Sequence, residues 1–470
     1  MSTESEPPVA MRLARMAYSA AQKEETNDQV LHAVERILLD TLACAMAAVD
    51  APPVKATRKW AQQIGGGPKA HILGTGETSS VLGAALCNST MARHVDMNDC
   101  DWARDPAHPS DNIGACLAVA EVTNATAAEV IRAILIAYEV QMRTTELTKV
   151  SFFKTSGWDH TTFVTLASAA ATGVLLRLDP EPLAHALAIG ASYPVPGQVR
   201  VGQISMMKAA SAGLAVTRGI EAAYLAANGV TGPLDIFEGQ RGLSRLVLGE
   251  CDWDVLTAPV EAWRLPRTCL KQYPAAYVIH SAIDAALALR RDHDVSAENI
   301  SAVEVAAFGW LIEDMVHGMG GVSRYEINAR ETADHSLPYC VAVSLVDGEY
   351  NLRQLDARRW EDPDVKAMLE KVTCVHDPAM DAGFPGNRPT RISVTLRDGT
   401  VLSEEAPFPK GDPRNPMTDE DIARKFRNLS GAVLSPARQQ RLIDLTLDFR
   451  NRTLAELFEA STPDVSSAPT

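Results

Sequence analysis

The stretch 213–226, GLAVTRGIEAAYLA, decides the fold, because an Ala-rich run of this kind recurs along the first half of the chain. Related runs are 83–92 GAALCNSTMA, 115–122 ACLAVAEV, 166–176 LASAAATGVLL and 183–192 LAHALAIGAS. Side chains this small let helix axes approach closely, so the pattern predicts a compact multi-helix bundle rather than a coiled coil. Upstream, Val30, Val34, Ile37, Leu38 and Leu42 recur at helical spacing, with Asn27 or Asp28 placed to cap. No β-rich stretch is expected between residues 8 and 265, and this half reads as all-α.

The pattern changes after Lys271. Residues 300–308 (ISAVEVAAF), 371–376 (KVTCVH) and 391–396 (RISVTL) alternate or run β-branched, as strands do. Arg397-Asp398-Gly399-Thr400 reads as a turn into a further strand ending near Ala406. Helices are expected at 275–292 and 335–347. Beyond KGDPRNP the chain is helical again: Thr418 can cap, Asp419, Glu420 and Asp421 suit a first turn, and Ser435-Pro436 opens a last helix. The expected class is therefore mostly α. A large all-α helical domain (8–268 with 410–460) carries a smaller inserted α+β lid domain (269–409).

Composition narrows the function. At 470 residues the chain exceeds one typical core, which predicts two domains. A net charge of −15 leaves no basic face for nucleic acid, yet permits an anionic substrate beside a few local Lys or Arg. The eight cysteines are scattered without a CxxC, which predicts reduced thiols in a cytoplasmic setting and no zinc or iron–sulfur site. The N-terminus lacks the apolar segment of a secretory signal, and no run of about 20 apolar residues predicts a membrane span. The last ten residues, STPDVSSAPT, read as a disordered tail.

Five polar constellations interrupt these helices. Residues 91–112, MARHVDMNDCDWARDPAHPSDN, gather His94, Asp96, Asp99, Asp101, Asp105 and His108 between Ala-rich segments. Carboxylates and imidazoles held beside a core take shifted pKa values, as acid–base chemistry requires; the bland alternative is a solvated, capped loop. A magnesium box for diphosphate fails, because a second Asp-rich box and an Arg cluster are missing. In 157–162, GWDHTT, His160 falls at a helix N-terminus, where it stays largely neutral, and Asp159 is a polar partner or simply an N-cap. Lys208 sits among small and apolar residues, either snorkelling or holding a substrate carboxylate. Lys271 falls at the expected domain junction, where ligand clefts form. Residues 331–339, ETADHSLPY, offer Asp334, His335 and Tyr339.

Read together, ERILLDTLACAMAA, MARHVDMNDCD, AHPSDNIGACLAVAE, GWDHTTFVTLASAAATG, ISMMKAASAGLAVTRGIEAAYLAANGVTGP, KQYPAAYVIHSAIDAAL, ETADHSLPYCVAV and KGDPRNPMT resemble the MmgE/PrpD family. That family includes 2-methylcitrate dehydratase, cis-aconitate decarboxylase and iminodisuccinate epimerase. The resemblance covers nearly the whole length. It implies a helical domain with an α+β lid, a homodimer, and an active site between the two domains. The family's Asp-x-x-Asp-Thr segment falls on Asp96 to Cys100, its His-Pro-Ser on His108, its loop His on His160 and its two lysines on Lys208 and Lys271. Cys100 stands where many members carry Thr.

AHPSDNI and GWDH resemble the dehydratase-type members. The implied activity is a hydro-lyase that dehydrates 2-methylcitrate, or a closely related tricarboxylate, with no metal and no cofactor. Asp96, His108, His160, Lys208 and Lys271 would be catalytic, with the lysines holding carboxylates and Asp96, His108 and His160 the candidate acid and base. Asp99, Cys100, Ser110, Asp159, His335 and Tyr339 would bind the substrate, a small anionic di- or tricarboxylate. Decarboxylation or epimerisation on the same fold is the nearest alternative, and a non-catalytic small-anion binding protein is the alternative of another class.

Overall fold

The computed structural model describes residues 6–23, 26–152, 155, 157–200, 204–293, 295–319 and 321–464. Nine of its longer helices belong to the first part of the chain: α1 Val9–Ala21, α2 Asp28–Ala47, α3 Pro52–Gln63, α4 Val81–His94, α5 Ile113–Val122, α6 Ala127–Leu147, α7 Thr161–Leu175, α8 Pro180–Gly190 and α9 Met207–Ala227. Asn27, not Asp28, caps α2 by accepting from the Val30 amide. Thr126 and Glu129 close a reciprocal capping box at the start of α6.

Helix α9 carries the opening stretch and packs against α4 and α7. Two glycines explain how close it comes. A Cβ on Gly213 would stand 2.6 Å from the Leu86 carbonyl oxygen of α4, and one on Gly219 would stand 2.6 Å from that of Thr165 in α7. Any larger residue at either position would push the helices apart.

The chain then builds a second core. Strands β5 Ile300–Ala307, β6 Val372–His376, β7 Thr390–Leu396 and β8 Val401–Ala406 form one sheet in the order β6-β5-β7-β8, with β5 and β6 parallel and the other pairs antiparallel. Ile392 and Val394 alternate inward along β7. Helices α10 His280–Asp292 and α11 Leu337–Asp347 pack on the sheet and on each other. Afterwards α12 Asp419–Ser430, α13 Pro436–Thr446 and α14 Leu454–Ser461 follow, and α12 packs on α2. Thr418 and Ser435 cap α12 and α13 as expected.

Buried apolar residues from Val9 to Leu270 form one cluster that resumes at Met417, while residues from Ala275 to Val394 form another. The two crossings between clusters lie side by side, where the Leu270 amide donates to the Gly411 carbonyl at 3.0 Å. Gly411 has φ +97°, and a Cβ there would overlap the Leu270 carbonyl oxygen, so the position accepts only glycine.

Three expectations need correction. The helical half contains two short hairpins, β1 Lys69–His71 with β2 Thr78–Ser80 and β3 Asp101–Trp102 with β4 Pro106–Ala107. The helix opened by Ser435-Pro436 is not the last, since α14 follows. Ser461, at the start of the expected tail, closes α14 and is buried; residues 465–470 of that tail lie outside the described residues. Among the described residues, no single helix is long and apolar enough to cross a membrane.

Candidate active site

A cleft opens where the two cores meet. Its centre is Asp96, two residues past the end of α4. With φ +53° this Asp adopts the left-handed conformation, which the residue type tolerates and which turns the chain sharply there. Its carboxylate meets Lys271 Nζ at 2.5 Å, Arg93 Nη1 at 2.8 Å and Lys208 Nζ at 3.0 Å. Burial opposes ionisation of Asp96, but Lys208, Lys271 and Arg93 outweigh it and hold the carboxyl well below its usual range. Burial pushes the Lys271 ammonium down, against the pull of Asp96.

Lys208 is shared further. Its Nζ donates to Asp334 at 2.8 Å and lies 3.1 Å from His335 Nδ1, which itself sits 2.6 Å from Asp334. Atoms of Asp96, Asp334 and His335 come within 4.8 Å of one another, a grouping a metal ion can use. The Lys208 ammonium already contacts all three, so their negative charge is met by an amine. Behind Lys271, Lys425 of α12 donates to Asp40 at 2.6 Å and to the carbonyls of Met97 (2.6 Å) and Lys271 (2.8 Å). The C-terminal helices thereby hold the backbone on both sides of the site.

Two imidazoles face the cleft with ring centroids 5.1 Å apart. His108 Nδ1 lies 2.6 Å from the Asp99 carbonyl oxygen. A carbonyl can only accept, so Nδ1 carries the proton and Nε2 presents its lone pair. Burial, then Arg93 and Lys271, hold His108 well below the ordinary imidazole range. Burial likewise lowers His160 to about 3 despite Asp159 beside it. Neither ring nitrogen of His160 has a hydrogen-bond partner among the described residues.

Asp159 serves as anchor. It accepts from the Thr161 amide (2.9 Å) and hydroxyl (2.6 Å) and from Arg200 Nε (2.6 Å). It is therefore both a turn-former at the start of α7 and the partner of a cation. The terminal nitrogens Nη1 and Nη2 of Arg200 line the cleft, buried and without a partner among the described residues.

Of the residues singled out in the sequence, Asp96, Cys100, His108, His160, Lys271 and His335 line the cleft. Lys208 stands one layer behind Asp96. Asp99, Ser110 and Asp159 are buried supports: Asp99 accepts from Ser110 Oγ (2.6 Å) and Tyr138 Oη (2.7 Å), and burial raises it to about 6. Tyr339 does not reach the cleft, a correction. It sits one turn inside α11, and its ring packs between Tyr350 and Trp360 in the second core. His94, Asp101 and Asp105 hold the surrounding loop through Arg330, Thr145 and Ser151 respectively. The sequence did not single out Arg93, Trp102, Pro106, Arg200, Ala276, Tyr277, Trp310, Asp314 and Met315, which complete the lining.

Fold and site together define a helical protein with a buried, anion-receptive acid–base cleft. Residues 11–256 match the MmgE/PrpD N-terminal domain and residues 273–450 the MmgE/PrpD C-terminal domain. The chain belongs to the MmgE/PrpD family. It is 26% identical over 439 residues to the 2-methylcitrate dehydratase of Cupriavidus necator, covering 87% of this chain and 88% of that one. It is 25% identical over 443 residues to the 2-methylcitrate dehydratase of Escherichia coli strain K12, with 87% and 88% covered. The cis-aconitate decarboxylase of Mus musculus is 27% identical over 370 residues, with 77% and 74% covered.

Proposed function

We propose that the protein is a carbon–oxygen lyase that dehydrates 2-methylcitrate or a closely related tricarboxylate, using its own side chains and no metal or cofactor. The observation that carries this reading is the tautomer of His108. The Asp99 carbonyl holds the proton on Nδ1, which leaves Nε2 as a lone-pair base pointing into a cleft beside cations.

Dehydration removes a weakly acidic C–H proton next to a carboxylate and expels hydroxide. In this reading Arg200 and Lys271 bind the carboxylates and stabilise the charge that develops, and His108 Nε2 takes the C–H proton. His160 protonates the departing hydroxide; its pKa rises toward the working range when the negative charges of the substrate enter beside it. Asp96 fixes Lys208 and Lys271. Closure of the α+β unit over the occupied cleft would exclude water. Met206, Met207, Leu214 and Leu225 lie exposed at the start and along one face of α9, which supports pairing of two copies.

The test is product analysis by NMR with 2-methylcitrate, citrate, cis-aconitate and iminodisuccinate. Loss of water from 2-methylcitrate is the expected result. Carbon dioxide from cis-aconitate alone would redirect the reading to a decarboxylase. Tight binding of the whole panel without turnover would make the protein an anion binder and refute the proposal.

A further inference from the structure

His335 has no part in the proton transfers assigned above, yet it lines the cleft from the side of the second core. It lies just ahead of α11, between Asp334 and the Ser336 that caps that helix. Its Nδ1 is 2.6 Å from an Asp334 carboxylate oxygen, and a contact of that length needs a proton between the two atoms. Burial opposes ionisation of Asp334, but Lys208 and His335 outweigh it and hold the carboxyl below its usual range. Asp334 is therefore ionised, and the proton belongs to Nδ1.

Lys208 does not compete for that position. Its three protons go to the two Asp334 oxygens, at 2.8 and 3.0 Å, and to Asp96 at 3.0 Å. The neutral ring thus presents Nε2, on its far side, as a lone pair with no partner among the described residues. A second proton on the ring is opposed. Burial and the Lys208 ammonium, 3.1 Å from Nδ1, lower His335 to about 4 even with Asp334 beside it. At neutral pH Nε2 is an acceptor and nothing else. A carboxylate, which also only accepts, is repelled by it. Among the polar groups of ionised 2-methylcitrate, the tertiary hydroxyl alone carries a proton to donate.

Resting on the dehydratase reading above, we propose that His335 is the specificity-determining residue that recognises the substrate's hydroxyl group, which donates to Nε2. This contact leaves the lone pairs of the oxygen free for the proton that His160 supplies. When the C–O bond breaks, its electron pair stays on the oxygen, and the His160 proton completes a water molecule that keeps the hydroxyl's own hydrogen. The alkene product has no donor for Nε2, so the contact ends with the reaction.

Citrate and tricarballylate differ by that one hydroxyl. Their dissociation constants are measured by titration calorimetry on the full chain carrying His108→Ala, which slows turnover so that citrate persists, and on the same protein with His335→Asn or His335→Gln added. Citrate is expected to bind about 10-fold tighter than tricarballylate. In His335→Asn the amide still donates to Asp334 but no atom reaches the Nε2 position, so the two affinities become equal. In His335→Gln the amide oxygen takes the place of Nε2, and most of the preference returns. Equal affinities with His335 in place, or a preference that survives in His335→Asn, overturns the role of His335. If neither variant at 335 folds, a crystal structure of the citrate complex decides: the hydroxyl oxygen within about 3.2 Å of His335 Nε2 supports the assignment, and any other arrangement overturns it. Failure of the wild type to release water from 2-methylcitrate, read by NMR in parallel, overturns the dehydratase reading; a missing binding preference with that activity intact overturns the role of His335 alone.

Discussion

Replacing Asp96 by Asn removes one negative charge from the meeting point of three cations without changing the size of the side chain. Lys271, Arg93 and Lys208 all lie within 3.0 Å of that carboxylate, and all three are buried. Breaking a buried pair by removing one partner costs about 3–5 kcal/mol, because the remaining charge stays out of water. Lys271 can shed its proton, being already pushed down, and Lys208 keeps Asp334, so the lower half of that range applies. With an unfolding entropy of about 2.1 cal/mol/K per residue, the whole chain loses roughly 1 kcal/mol per degree, so the expected fall in Tm is about 3–4 °C. The assay is differential scanning calorimetry of the ligand-free protein, with Asp50→Asn as a surface control. Asp50 pairs with Lys55 at 3.4 Å in full view of solvent, and its loss leaves Tm unchanged. Tricarballylate, whose carboxylates replace the missing charge, restores most of the loss in Asp96→Asn. A variant that melts together with the wild type, with or without the anion, would show that Asp96 does not hold these cations and would refute the electrostatic account of the site.

Other outcomes follow from the same geometry. His108→Ala and His160→Ala each lower kcat on the dehydrated substrate by about 10²–10⁴-fold with unchanged circular dichroism; a loss under tenfold in either removes that imidazole from the reaction. His160, lowered to about 3 by burial, stays neutral in the folded protein where the unfolded chain, near 6.5, takes up a proton. Its stabilising contribution is therefore whole above pH 6.5 and is lost as pH falls toward 3. Carbon-13 imidazole NMR at pH 5 should show a neutral ring that titrates higher once tricarballylate binds, and a ring already protonated at pH 5 without ligand contradicts this. Lys425→Met strips the donor from the Met97 and Lys271 carbonyls and lowers both stability and kcat. Adding Asp40→Leu recovers stability, because a well-packed apolar pair replaces a buried ion pair, but does not recover kcat. Recovery of both would limit Lys425 to a structural role.

Much of the architecture is legible in residue type and period. The small residues of 213–226 predicted tight helix contacts, and Gly213 and Gly219 are where the close approach occurs. The alternation of 391–396 reappears as the inward Ile392 and Val394 of β7. The polar cluster was legible for another reason: carboxylates and imidazoles set among Ala-rich helices had to be buried with partners.

What stayed hidden is whatever depends on distant partners or on rotation about a helix. Arg93 lies three residues before Asp96, a spacing that pairs side chains on one helical turn, so its role had a local signal. Arg200 had none, because its partner Asp159 is 41 positions away. Lys425 meets Asp40 across 385 positions. Tyr339 shares a polar run with Asp334 and His335, but those two precede α11 whereas Tyr339 has turned with the helix into the second core. The short β1–β2 and β3–β4 hairpins lie below the length at which alternation is visible.

The contact between Leu270 and Gly411 has a consequence for engineering. Because the polypeptide departs and re-enters through residues joined by one hydrogen bond, excising the intervening segment leaves ends that a tight turn can suture. A graft of the corresponding piece from another relative has to match this doorway and the pairs that cross between the cores, Lys208 with Asp334, Asp96 with Lys271 and His94 with Arg330. Swapping that cassette would exchange Lys271, Tyr277, Trp310, Met315 and His335 while leaving Asp96, His108, His160 and Arg200 in place.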